Sequence, residues 1–191
     1  MTTARLEAFT DAVIAIVITI LVLELRVPHE PELAALSDVV PVFLTYVLSF
    51  VYLGIYWNNH HHMMVLTERV NGKILWANLH LLFWLSLVPF TTAWMGETDF
   101  AASPTAVYGV DLLLAAIAYF ILQTAIIAEE GPDSRLRAAL GRDLKGKISP
   151  LLYFAAIPLA FVSPWIALAV YVFVALMWLV PDRRIESAVS E

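Results

Sequence analysis

The chain has 191 residues, of which 61% are hydrophobic and 15% are charged, compared with roughly 25% charged residues in ordinary soluble domains. A net charge of −6 argues against a nucleic-acid partner, and the absence of cysteine excludes disulfides, thiolate metal sites and cysteine nucleophiles. Several apolar runs approach the ~20 residues that an α-helix needs to cross a bilayer. The sequence therefore predicts an all-α membrane protein with one domain over residues 1–191.

Six transmembrane helices are predicted in chain order. The first apolar run is rich in β-branched residues, but it is too long for a typical strand, and a lone strand cannot satisfy its backbone in lipid. Pro28 and Pro31 are predicted to end this helix, and a charged connector at 133–147 precedes the fifth. The last apolar block is divided by a tight turn at 162–164. The predicted helices span residues 6–25, 39–62, 74–95, 106–128, 148–162 and 164–180.

The placement of lysine and arginine supports six spans. With the N-terminus inside, ten of the eleven basic residues fall on inner segments, and only Arg26 falls outside. Positive charge collects on the cytoplasmic side of short loops. A five-span arrangement would move Arg183 and Arg184 outside and weaken this pattern. We therefore expect a multi-pass protein of the plasma membrane with both termini in the cytoplasm.

Polar side chains near the inner ends of the first two helices are the first candidates for function. Asp11 lies among apolar residues of the first helix, where an ionisable group is costly unless it is paired or hydrogen-bonded. Arg5 is the nearest cation in sequence, although spacing alone slightly favours a helix-start role for Thr10 and Asp11. Trp57 and His61 are four residues apart and share a helix face.

Metal binding and catalysis are poorly supported by the sequence. The adjacent residues His60, His61 and His62 cannot all bind one metal from a helix, because neighbours point about 100° apart. Recognisable hydrolase, metalloprotease and nucleotide-binding motifs are missing. Asn78 is expected to face other helices. Asp111 is a candidate proton or ion site, but its position near the outer end of the fourth helix suits a snorkelled or capping role at least as well.

Two apolar stripes run along the first helix. One contains Ile16, Ile20 and Leu23, with Thr19 at its margin. The other stripe is just as apolar and contains Ile14, Ile18, Leu21 and Leu25. Any packed helix shows such stripes, so periodicity alone does not select the one that faces a pore.

The start of the first helix resembles a family signature. Arg5-x-x-x-Phe9-Thr10-Asp11, followed by an aliphatic run, is similar to the Arg-x-x-x-Phe-Ser-Asp motif of the transmembrane protein 175 family of potassium channels. Thr10 replaces the family's Ser, which keeps the hydroxyl and adds a methyl group. Three further segments resemble helices 2 and 3 of that family, at 49–61, 76–79 and 86–90. The last three helices match by hydropathy only.

The resemblance implies a homotetramer of six-helix subunits, with the first helix of each lining a central pore. A ring of aliphatic side chains at Ile16 would form the constriction in place of a carbonyl selectivity filter, with further layers at Thr19 or Ile20 and at Leu23. The motif residues would tie the first helix to its neighbours by hydrogen bonds. That network would comprise Arg5, Phe9, Thr10, Asp11, Trp57, His61 and Asn78.

We therefore predict a potassium-selective cation channel with a hydrophobic gate and no enzymatic activity. Its expected partners are other copies of the chain, the lipid bilayer and permeant potassium ions, with no cofactor. One alternative is a secondary ion transporter that uses Asp11 or Asp111. The others are a membrane enzyme based on His61 and a non-conducting scaffold. Potassium and sodium flux in liposomes would separate these functions.

Overall fold

All regular secondary structure in this computed structural model is helical over the residues that it describes, 1–141 and 143–179. Two 3₁₀ segments, Leu33–Val39 and Gly131–Asp133, lie before α2 and after α4. The α-helices of the described residues are α1 (Thr3–Leu23), α2 (Val40–Val65), α3 (Gly72–Glu97), α4 (Ala102–Glu130), α5 (Arg135–Leu140), α6 (Leu144–Leu159) and α7 (Pro164–Leu179).

Local sequence signals define several helix ends. Asn71 caps the N-terminus of α3: its side-chain oxygen accepts a hydrogen bond from the backbone N–H of Ile74 at 3.0 Å. Asp143 caps the N-terminus of α6 in the same way and accepts from the N–H of Gly146 at 3.0 Å. Such caps satisfy donors that have no partner inside the helix. Gly131 follows α4 with a φ of 82°, a left-handed conformation that glycine adopts without strain.

The helices differ in their bounds from the predicted spans. The first begins at Thr3 rather than residue 6 and ends at Leu23 rather than residue 25, so Pro28 is not the residue that ends it. The second, third and fourth extend beyond 39–62, 74–95 and 106–128 at one end or both. The reason is that an apolar run marks the lipid-facing length, whereas backbone hydrogen bonding continues into the polar region at each end.

The charged connector and the last apolar block also differ from the prediction. The connector contains the short helix α5, and α6 begins at Leu144, inside the predicted connector, because Asp143 caps it. The turn after α6 starts at residue 160, while α7 begins at Pro164 as predicted. The predicted end of the last helix at Val180, together with Arg142, Arg183 and Arg184, lies outside the described residues.

Contacts between helix ends show that the six long helices alternate in direction. Gln123, in the last third of α4, donates to Asp143 at the start of α6 at 3.4 Å, so α6 starts at the end of the bundle where α4 finishes. The residue pairs in the next sentence show that successive helices run in opposite directions. One end of the bundle joins Glu7 to His61, Asn71 to Glu129 and Ser149 to Trp178, and the other end joins Arg26 to Glu97.

Within residues 1–141 and 143–179, four helical segments are long and apolar enough to cross a membrane by length and composition. They are Thr3–Leu23, Leu33–Val65, Gly72–Glu97 and Ala102–Asp133. Helix α6 is shorter, with 16 residues, and the described part of α7 also comprises 16 residues.

Two clusters of buried side chains hold the bundle together. The first joins α1 to α2, α3 and the second half of α4, and it includes Leu6, Ile14 and Leu21 of α1. The second joins α2 and α4 to α6 and α7 around buried tyrosines. Tyr52 and Tyr171 belong to it, and the Tyr52 hydroxyl donates to the Tyr171 carbonyl at 2.6 Å. Helix α1 therefore packs at one side of the bundle, where one of its faces has no partner.

Candidate functional site

One face of α1 is exposed along the length of the helix. Ile16 is 59% exposed and Leu23 is 75% exposed, while Ile14 and Leu21 on the other side are 2% and 1% exposed. The stripe that packs inside the chain is thus the one that contains Ile14. The exposed side, called here the free face of α1, includes Arg5, Phe9, Ala12, Ile16, Thr19, Ile20 and Leu23.

Thr19 is the polar residue within the apolar part of the free face. Its hydroxyl donates to the carbonyl of Ala15 at 2.8 Å, as a helical threonine commonly does. The donated proton points back along the helix, and the oxygen keeps lone pairs that are not used in this bond. An exposed oxygen of this kind can contact a cation.

Two hydrogen bonds connect the N-terminal end of α1 to α2. The indole N–H of Trp57 donates to Asp11 Oδ1 at 3.0 Å, and His61 Nδ1 lies 2.6 Å from Glu7 Oε1. Glu7 and Asp11 are four residues apart, as are Trp57 and His61, so the two bonds lie on successive turns of antiparallel helices. The Trp57 and His61 rings are also stacked, with centroids 6.5 Å apart.

A second set of hydrogen bonds lies inside the bundle and joins three helices. The Asn78 amide donates to the Thr10 hydroxyl at 2.8 Å, and its carbonyl oxygen lies 2.9 Å from His60 Nε2. Thr10, Asn78 and His60 are buried. The Thr10 hydroxyl also donates to the Leu6 carbonyl at 3.0 Å. Helices α2 and α3 therefore hold Glu7, Thr10 and Asp11 of α1, and the free face of α1 is left uncovered.

Two expected members of this network are placed differently. Arg5 is exposed, and its side chain makes no hydrogen bond or ion pair with the part of the chain that the structure describes. It precedes Phe9 by four residues and Ile16 by eleven, so it lies on the free face and points away from α2 and α3. Phe9 is exposed on the same face. His61 bonds Glu7 rather than Arg5, Thr10 or Asp11.

Glu7 and His60 are the network members that the sequence did not single out. Glu7 precedes Asp11 by four residues, a spacing that puts both carboxylates on one face and could have indicated a pair with Trp57 and His61. The partner of Asn78 is His60, and nothing in the spacing within one helix selects His60 over His61. No group of three or more histidine, aspartate or glutamate residues is placed to hold a metal ion within residues 1–141 and 143–179.

Asp111 lies in the interior of the bundle and not at a snorkelling or capping position. It is 4% exposed, and its Oδ2 lies within hydrogen-bond distance of the Thr91 hydroxyl, at 3.0 Å. The burial contradicts the snorkelled or capping role and leaves the other alternative, a proton or ion site, open; α4 begins at Ala102, which puts Asp111 in the third turn, on the side that faces α3.

Comparisons with known proteins identify the family. The sequence model described as "Endosomal/lysosomal potassium channel TMEM175" matches residues 5–89. A potassium channel of Chryseobacterium sp. (strain P1-3) is 52% identical over 191 residues, covering 100% of both chains. A potassium channel of Streptomyces collinus is 31% identical over 193 residues, covering 91% of this chain and 90% of that one.

A solved structure agrees with these sequence relationships. The crystal structure of a lysosomal potassium-selective channel TMEM175 homolog from Chamaesiphon minutus matches with a TM-score of 0.79 at 30% identity, covering 93% of this chain and 96% of that one. The match extends well beyond the first three helices, where the sequence motifs lie. This chain is therefore a multi-pass membrane protein that belongs to the TMEM175 family of potassium channels, which are ion channels and not enzymes.

Proposed function

We propose that this chain forms a potassium-selective channel in which four copies of α1 surround a central pore, with the free face of α1 lining it. The observation that carries the proposal is the uncovered aliphatic stripe of α1, with Ile16 at 59% exposure beside a fully packed opposite face. The opposite face of α1 already has partners on α2 and α3. Packing of α1 around a shared axis gives this stripe a defined environment.

The ring of Ile16 side chains forms the constriction. Four isoleucines around one axis leave no polar group to replace the water around a cation, so a narrow ring acts as a dewetted barrier until it widens. Potassium sheds its water more readily than sodium, and passage through such a ring is biased toward potassium. Ile20 and Leu23 form further apolar layers toward the outer end of the pore.

Thr19 supplies oxygen atoms next to the constriction. Its hydroxyl donates to Ala15 in the same helix. The remaining lone pairs face the pore axis and replace a lost water contact from each subunit. This arrangement lowers the cost of dehydration without a carbonyl filter.

The polar contacts at the inner end position α1 rather than contact the permeant ion. Asp11 with Trp57 and Glu7 with His61 fix α1 against α2, and Thr10 with Asn78 fixes it against α3. Arg5 and Phe9 lie on the free face below Ile16 and therefore border the inner mouth of the pore.

Six spans with both termini in the cytoplasm fit the alternating helix directions. The predicted inner side carries ten of the eleven basic residues. The α6 helix, with 16 residues, reaches about 24 Å, somewhat less than the ~30 Å of a typical hydrocarbon layer. Local bilayer thinning and long side chains such as Lys145 and Lys147 accommodate that difference. The plasma membrane is the proposed location, and potassium is the permeant ion, with no cofactor.

The test is ion flux from purified protein in liposomes. Substitution Ile16→Asn puts amide groups into the ring, which should increase cation flux and reduce the preference for potassium over sodium. Leu151→Asn is the matched control, because Leu151 is a similarly exposed aliphatic residue on α6 and away from α1. Unchanged conductance and selectivity in Ile16→Asn would show that Ile16 is not the constriction.

The same preparation tests the transporter alternative. A channel gives flux that follows the potassium gradient with unitary currents in single-channel recordings. A transporter based on Asp11 or Asp111 gives saturable, proton-coupled flux that stops in Asp11→Asn or Asp111→Asn. Membership of a potassium channel family supports channel activity over transporter activity.

A further inference from the structure

Asp111 is a buried carboxyl group that the proposed pore does not use. It lies on α4, and its neighbours include Thr91 on α3. Oδ2 has a partner in Thr91, but Oδ1 is buried with no hydrogen-bond partner. No lysine, arginine or histidine of the described residues pairs with Asp111, and the nearby titratable side chains are Tyr56 on α2 and Tyr108 on α4.

The proton of Thr91 decides how this contact works. The Thr91 hydroxyl lies 3.0 Å from Asp111 Oδ2, 3.2 Å from the Val88 carbonyl and 3.4 Å from the Leu87 carbonyl. A hydroxyl has one proton and can donate it once, whereas its oxygen can also accept. If Asp111 is ionised, Thr91 must donate to it, and the negative charge has a single neutral donor in a nonpolar interior.

A protonated Asp111 satisfies the same atoms at lower cost. Oδ2–H donates to the Thr91 oxygen, and the Thr91 proton goes to a carbonyl of its own helix. The one group left without a partner is then the neutral carbonyl oxygen Oδ1, which is far cheaper to bury than an unpaired charge. Such a chain of hydrogen bonds gives each hydroxyl a donor role and an acceptor role.

We propose that Asp111 is a buried proton-binding site, in which the neutral carboxylic acid donates a hydrogen bond to Thr91 and fastens α4 to α3. The proton is held and not conducted, because the site lies inside the subunit and away from the free face of α1. This role differs from that of an ion-carrying carboxylate in a transporter, for which the charged form is essential.

Infrared spectroscopy of the full chain in lipid bilayers tests the proton directly. At neutral pH the wild-type protein should show the carbonyl band of a protonated carboxylic acid, and this band should disappear in Asp111→Asn. Asp99→Asn is the matched control, because Asp99 is exposed and its removal should leave the band unchanged. Absence of an acid band in the wild type, or its persistence in Asp111→Asn, would overturn the proposal.

Thermal stability provides a second test that does not need the variant to be active. Asparagine keeps a donor for Thr91, so Asp111→Asn should melt within about 2 °C of the wild type, whereas Asp111→Leu should melt clearly lower. Equal decreases in melting temperature in Asp111→Asn and Asp111→Leu would indicate that the negative charge of Asp111 is needed, which would contradict the proposal. If sodium or potassium stabilises the wild type but not Asp111→Asn, the carboxylate binds a metal cation and the proposal fails.

If Asp111→Asn does not fold, the wild type alone decides the question. Carbon-13 labelling of aspartate carboxyl groups should then reveal one protonated carboxyl resonance at neutral pH in solid-state NMR spectra. A spectrum with ionised aspartates alone would contradict the proposal.

Discussion

At the scale of single residues, Asn78 connects the polar contacts around α1. Its amide donates to Thr10, and its carbonyl oxygen therefore faces His60 Nε2, which must carry a proton. A second proton on Nδ1 would leave an unpaired donor on a charged ring in the buried interior, so His60 is the neutral tautomer with an unprotonated Nδ1, the atom that lacks a partner. One amide side chain thus sets both the Thr10 contact and the state of a neighbouring imidazole.

Substitution Asn78→Leu should destabilise the protein by about 2 kcal/mol, because it removes two hydrogen bonds and leaves buried polar atoms of Thr10 and His60 unsatisfied. Thermal unfolding in detergent measures the change. Ser86→Ala on the same helix is the control, since the exposed Ser86 hydroxyl bonds only its own helix at Phe83. Similar melting temperatures for Asn78→Leu and Ser86→Ala would contradict a central role for Asn78.

Thr10, Asp11, Trp57, His61 and Asn78 of this network were identified from the sequence, but Glu7, His60 and the pairing of the residues were not. Spacing within a helix places Trp57 and His61 on one face, and that follows from 3.6 residues per turn. It does not give the register of α1 against α2, which is what joins His61 to Glu7. Arg5 was predicted to belong to the hydrogen-bond network, but its position on α1 puts it on the free face.

At the scale of elements, close helix contact depends on small residues. Gly109 of α4 lies against Tyr171 of α7, and a Cβ at Gly109 would collide with the Tyr171 hydroxyl. That hydroxyl donates to the Thr105 carbonyl at 3.1 Å, one turn earlier on α4. Small residues at helix interfaces are typical of membrane bundles, because they let backbones approach.

Substitution Gly109→Ala should therefore destabilise the protein by about 1–3 kcal/mol through overpacking, and it should displace Tyr171. The comparison is Gly54→Ala in α2, where nothing lies within 4 Å of an added Cβ and the higher helix propensity of alanine is neutral or favourable. Melting temperatures of the two variants give the result. A Gly109→Ala protein as stable as Gly54→Ala would mean that α4 and α7 separate without cost.

At the scale of the whole molecule, the free face of α1 is the surface that the proposed tetramer would cover. An isolated subunit exposes Ile16, Ile20 and Leu23 as a continuous stripe. Lipid could cover such a stripe, but then α1 would contribute no lining to a conducting path. The proposed tetramer therefore brings the C-terminal ends of α1 from different subunits close together.

Introduction of one cysteine tests that proximity, since the chain contains none. Leu23→Cys should form disulfide-linked dimers on mild oxidation in bilayers, because four copies of position 23 face a common axis. Leu151→Cys, equally exposed but on α6, should remain monomeric under the same conditions. Gel electrophoresis without reductant reads the outcome, and equal cross-linking at both positions would count against a pore lined by α1.

The sequence by itself determined that this protein is helical and membrane-embedded, because apolar runs of spanning length leave few other ways to satisfy a backbone in lipid. Its motif also indicated the family. Only the tertiary structure decided which of two equally apolar stripes of α1 is buried, because that depends on where α2 and α3 pack. The same packing decided that Asp111 is an interior residue and that Glu7 is the partner of His61. Periodicity describes one helix at a time, whereas these contacts depend on the register and rotation between helices.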